Sequence, residues 1–163
     1  MSESIFRGIS KKDGGFWVYG AYCPIGDRGF IVNVGIDSVG PIAHITEVYP
    51  ETVGQWTGLY DATEWEDLTN LERFPWRREQ WRGKRIFEGD ILEAHYDKNF
   101  PEDATRTVVV WHKDRYDNQG IGWCIDQKPG LGDPLDRFDA GRNKVIGNIH
   151  ENRRLLEEES GWV

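Results

Sequence analysis

Nineteen glycines and seven prolines cut this chain of 163 residues into short pieces. The pieces between them, such as FWVYGAYC, GFIVNVGI and TRTVVVWHK, are rich in β-branched and aromatic residues. Short runs of that composition, bounded by turn residues, form strands, and closely spaced strands joined by tight turns pair antiparallel. The N-terminal third holds four such runs: SIFRGIS, FWVYGAYC, GFIVNVGI and AHITEVY. Asp13-Gly14, between the first two, suits a hairpin turn that needs positive φ.

From Gly83 the pattern returns. ILEAHY alternates, which places Leu92, Ala94 and Tyr96 on one face and Glu93 and His95 on the other. TRTVVVWHK, GIGWCIDQ and KVIGNIHE are three further strands, and QKPGLGDPLDRFDAGRN reads as a Gly/Pro/Asp-rich loop. NRRLLEEES predicts a short terminal helix. The fold expected is mainly β with a minor helical part: an N-terminal β region (1–59), a short helical Trp/Arg-rich insertion (60–82) and an antiparallel, barrel-like sheet (83–157). One unit over 1–163 with a shared core is expected, because the insertion is too aromatic for a flexible linker.

Within the insertion, Thr63 followed by Glu66 fits a capping box. Trp65, Leu68 and Leu71 then recur at three-residue steps, as on one helix face, and Pro75 should stop that helix. Charge is segregated here. Asp61, Glu64, Glu66, Asp67 and Glu72 have no base among them. Then Arg73, Arg77, Arg78, Arg82, Lys84 and Arg85 face a single acid, Glu79, so 73–85 sums to +5 in a chain of net charge −8. Phe74, Trp76 and Trp81 lie between the arginines. Aromatic rings among guanidinium groups can stack bases while the cations meet phosphates, which makes this a candidate nucleic-acid or protein contact. The competing reading, and the favoured one, is that the acidic stretch folds against the basic one or pairs with it across a subunit interface.

The overall charge opposes broad non-specific DNA binding. No apolar run is long enough for a membrane helix or a signal peptide, so a cytoplasmic protein is expected. Cys23 and Cys124 stand apart and outside any Cys-x-x-Cys motif, which suits free thiols. His44, His95, His112 and His150 lack neighbouring ligands at zinc spacing. Asp133, Asp136 and Asp139 lack the spacing and distal Glu of a calcium loop. No metal and no cofactor is expected.

Two glycine motifs remain. Glu88-Gly89-Asp90 is read as a turn rather than a catalytic carboxylate pair: Gly89 takes positive φ, and Asp90 binds backbone N–H groups. In Gly54-Gln55-Trp56-Thr57-Gly58, glycines that permit close backbone packing outweigh a ligand role for Gln55 and Trp56. With no catalytic constellation visible, a non-enzymatic module is expected.

Three segments, ETVGQWTGLYD (51–61), GKRIFEGDIL (83–92) and KVIGNIHENRRLLE (144–157), resemble in content and order the signatures of the YopX family of phage and prophage proteins. Trp56 and Phe87 occupy family aromatic positions, while His150 stands where an aromatic is usual. Gly147 and Asn148 belong to the third signature. The chain departs from the family by inserting the Trp/Arg-rich segment, roughly Ala62 to Trp81, between the first two. The resemblance implies a mainly β protein with a barrel-like part, encoded by a mobile element and resident in the bacterial host cell. It implies no activity. The expectation is therefore an accessory protein that acts by binding or self-association, with nucleic-acid binding through the Arg/Trp segment as the alternative.

Overall fold

The computed structural model describes residues 5–74, 76–94, 104–112, 122–128, 131–135 and 140–157. The readings that fall on Pro75, His95, Tyr96, Asp136 and Asp139, and on the side chains of His112 and Asp133, lie outside the described residues. The protein is mainly β and antiparallel, and its contacts divide it into two compact units, Met1–Trp56 and Thr57–Val163.

The first unit contains β1 (Phe6–Ile9), β2 (Trp17–Ile25), β3 (Arg28–Asp37), β4 (Gly40–Val48) and the start of β5 (Gly54–Tyr60). Their order in the sheet is β4-β3-β2-β1-β5. Each turn is made locally. Between β1 and β2 the Gly15 amide donates to the Lys12 carbonyl at 3.1 Å. Between β3 and β4 the Asp37 carboxylate accepts from the Val39 and Gly40 amides at 2.8 and 3.1 Å. Strand alternation turns Ile31 and Val48 inward, where they meet Val18, with Phe6, Tyr22 and Val53 packed around them.

The second unit takes up β5 at Thr57 and adds β6 (Arg85–Phe87), β7 (Asp90–Ala94), β8 (Thr105–His112), β9 (Gly122–Lys128), β10 (Leu131–Pro134) and β11 (Asn143–Asn148). β5 and β6 are neighbours, and the other five strands form a sheet in the order β10-β9-β8-β7-β11. That sheet is open rather than barrel-like, with β10 and β11 at its two ends. The expected loop after β9 contains β10, whose pairing with β9 shifts register between Leu131 and Gly132.

β7 corrects the expected one-sided alternation, because both its faces are covered. Leu92 packs with Ile86, Val109, Leu135 and Ala140, whereas Ile91 packs with Val108 and Leu156. Leu156 comes from α2 (Arg154–Glu157), the predicted terminal helix, which lays an apolar side chain on the second face of the sheet. A strand buried on both sides needs successive apolar residues, which Ile91-Leu92 provides.

The helical insertion is also corrected. It is three single turns: a 3-10 turn at Trp65–Asp67, α1 (Asn70–Arg73) and a 3-10 turn at Arg78–Gln80. Extended backbone at Leu68 and Thr69 interrupts any continuous helix. The expected stripe is lost with it, since Leu68 is buried and Leu71 is 87% exposed. The capping box sits one motif later than predicted. Thr69 Oγ1 accepts the Glu72 amide at 3.2 Å, and the Glu72 carboxylate accepts the Thr69 amide at 3.0 Å. Thr63 is committed elsewhere, donating both its amide and its hydroxyl to Asp61.

Candidate functional site

The Arg/Trp segment folds onto its own acidic neighbour. Trp81 donates its indole N–H to the Thr63 carbonyl at 2.8 Å, which ties the end of the insertion to its start. Trp65 and Trp76 then meet Trp81 edge-on, with ring centroids 6.3 and 6.1 Å away. Such tilted contacts set the positive ring edge of one indole against the negative face of another. Guanidinium groups cap the outer rings: Arg73 lies 5.4 Å from the Trp65 centroid and Arg85 lies 5.8 Å from that of Trp76.

The cations are used in the same way. Arg73 donates to the Trp65 and Glu66 carbonyls at 3.3 and 3.4 Å. Arg78 pairs with Glu66, and Lys84 Nζ stands 3.1 Å from Glu72. Glu72 is held below the ordinary glutamate range, first by the Thr69 amide and then by Lys84. Arg77 and Arg82 are exposed, and their side chains make no hydrogen bond or ion pair among the described residues. An open groove of about 420 Å³ runs beside this cluster, lined by Thr63, Glu64, Trp65, Arg78, Trp81 and Arg82 among others.

The second and third motifs and the end of the first lie in the second unit. Gly89 turns β6 into β7 at φ 88°, and the buried Asp90 carboxylate accepts the Phe87 amide at 2.8 Å across that turn. Glu88 is half-buried at the same bend. The Gly89 carbonyl accepts the Ile149 amide at 2.9 Å, joining the second motif to the third. Asn148 closes β11: its side-chain oxygen accepts the His150 and Glu151 amides, each at 3.0 Å. Asn152 sits over Gly147, 2.6 Å from where a Cβ would stand, and accepts the Asn148 amide at 3.1 Å. From the first motif, Thr57 Oγ1 donates to the Ile86 carbonyl at 2.8 Å, and Gly58 turns the strand at φ 88°. In the first unit, Gly54 and Gln55 stand opposite Arg7 and Phe6 of β1.

The last residue of the first motif carries a role that the motif does not reveal. Asp61, only 5% exposed, accepts four hydrogen bonds. These come from the Thr63 amide and hydroxyl, the Lys84 amide and the Val145 amide, at 2.8–2.9 Å. A carboxylate followed by Ala-Thr offers a weak sequence signal, an Asx-type turn. Its long-range partners carry none. Among the described residues no group of three or more His, Cys, Asp or Glu is placed to hold a metal ion. No helix among them is long and apolar enough to cross a membrane.

Among curated proteins, none is similar enough to this chain to count as a relative. A solved structure, protein EF1440 from Enterococcus faecalis, is 19% identical over 96% of this chain and 99% of its own, with a TM-score of 0.48. The model of the family described as YopX protein matches residues 81–157. That span, just under half of the chain, holds the turn at Gly89 and the closing motif around Asn148, and over it the chain is similar to the YopX family.

Proposed function

We propose that this protein is a phage- or prophage-derived accessory protein, acting in the cytoplasm of the bacterial host by binding and self-association rather than by catalysis. One observation carries this reading. Among the described residues, thirteen large apolar side chains are exposed, and nine of these, from Phe16 to Tyr49, belong to the first unit. Isolated exposed apolar residues are ordinary, but a concentration of them marks a contact surface. The buried carboxylates Asp61 and Asp90 fit the same reading, because both bind backbone N–H groups. Light scattering across a concentration series tests it: the mass should rise above that of one chain, 18.9 kDa. A mass fixed at one chain throughout would overturn self-association.

A second reading, nucleic-acid binding through Arg73, Trp76, Arg77, Arg78, Trp81, Arg82 and Arg85, draws support from the exposed pair Arg77 and Arg82. The ion pairs of Arg78 and Lys84 weigh against it. Binding to single-stranded DNA should then fall with salt at a log–log slope of roughly −1 to −2, matching two free cations. A slope unchanged in Arg77→Ala/Arg82→Ala would remove the idea.

A further inference from the structure

We infer that the outer face of β2, β3 and β4 is the surface on which a second copy of this chain packs, sheet against sheet. This rests on the self-association reading and assigns it a place. Register defines the face. Val32 stands opposite Ala21 and Ile45, Val34 opposite Ala43, and Ile36 opposite Pro41. Directly paired residues share a face, so these side chains and Ile25 form one apolar surface. Ile31 and Val48 lie on the opposite face and enter the core. Ile25, Val34, Ile36 and Ile45 are 62%, 71%, 86% and 65% exposed.

Size and charge select the occupant. At roughly 100 Å² for each large aliphatic side chain, this face presents about 500 Å² of apolar area. That is a large share of the ~800 Å² each partner contributes to a standard interface. Two stacked sheets also bury such a face at ordinary spacing. A chain of net charge −8 repels its own copy, so two copies meet most readily on an uncharged surface. From Val32 to the β3–β4 turn this face has no charged residue. The charges lie at its other end, where Glu47 accepts from Lys11 at 2.9 Å and from Arg28 at 2.5 Å. An apolar centre with a paired polar rim is the usual anatomy of an interface.

Cys23 reports on the face directly. It is exposed and stands opposite Phe30, one pair along from Ala21–Val32, whereas Cys124 is buried. Light scattering and maleimide labelling of Cys23 across a dilution series test the inference. The wild type should approach twice 18.9 kDa when concentrated, with Cys23 labelled more slowly there than when dilute. Ile36→Glu/Ile45→Glu alters side chains already in water, so it should fold normally by circular dichroism. It should weaken association at least about tenfold, because the interface would bury unpaired carboxylates. Leu71→Glu, 87% exposed in the second unit, should leave association unchanged. If the wild type is monomeric throughout, self-association itself fails. If association survives Ile36→Glu/Ile45→Glu, or is lost in Leu71→Glu, self-association stands and this face is wrong. Cys23 protected in a monomer would mean that the chain covers the face itself, which also overturns the inference.

Discussion

The Asp61 carboxylate accepts the Val145 amide at 2.8 Å across 84 positions of sequence. With its other bonds, to Thr63 and to the Lys84 amide, it holds the end of β5, the approach to β6 and the middle of β11 at one buried point. Asp61→Ala leaves the Val145 and Lys84 amides without that acceptor. The expected cost is about 3–5 kcal/mol, with Asp61→Asn losing about half as much, because an amide keeps one acceptor oxygen. Urea unfolding followed by tryptophan fluorescence measures both. Loss below about 1 kcal/mol for Asp61→Ala would show that water replaces the carboxylate.

Gly83 lies against the same residue. Its φ is 120°, and an added Cβ would fall 2.2 Å from the Asp61 carbonyl oxygen. Gly26, at φ 63°, has open space around its Cβ position. Gly83→Ala should therefore cost more than about 3 kcal/mol, while Gly26→Ala costs about 1–2 kcal/mol from backbone conformation alone. Equal losses in thermal melts of the two variants would refute the steric account.

The two Thr-x-x-Glu motifs of the insertion differ in use. Thr69→Ala removes the cap of α1, worth about 1 kcal/mol, so the Glu72 and Arg73 amides should exchange hydrogen about fivefold faster. Glu66→Gln should leave those rates unchanged, since the Glu66 side chain meets Arg78 at an exposed ion pair and its backbone carbonyl, which accepts from Arg73, is kept. Hydrogen exchange resolved by residue decides between the two.

Glu47 makes the first unit acid-sensitive at one end. Hydrogen bonds from Arg28 and then Lys11 pull its carboxyl from 4.5 to about 2. A depressed folded-state value stabilises above the unfolded value and loses that contribution as the proton binds. The Arg28–Glu47–Lys11 contact should be complete above pH 4.5 and dissolve as the pH falls towards 2. Carboxyl chemical shifts should show a midpoint near 2 for Glu47. In Arg28→Ala that midpoint should rise, and an unmoved midpoint would assign the shift to another cause.

Strand content, antiparallel pairing, the hairpin after β1 and the terminal helix were all legible in the sequence, because each depends on residues close in the chain. The same holds for the turn at Gly89, where a glycine and an aspartate act within four residues, but not for the turn at Asn148, which falls inside the run KVIGNIHE read as a strand. What was not legible depends on partners distant in sequence. Thr63 and Thr69 offer identical capping motifs, and only the burial of Asp61 beside Thr63 decides which one caps. Val34 and Ile36 look like core residues by alternation, yet Ile31 and Val48 on the opposite face are the ones buried. A strand's period states that two faces differ; which face meets the core is settled by the packing of the whole unit, because burial is a property of neighbours and not of the strand.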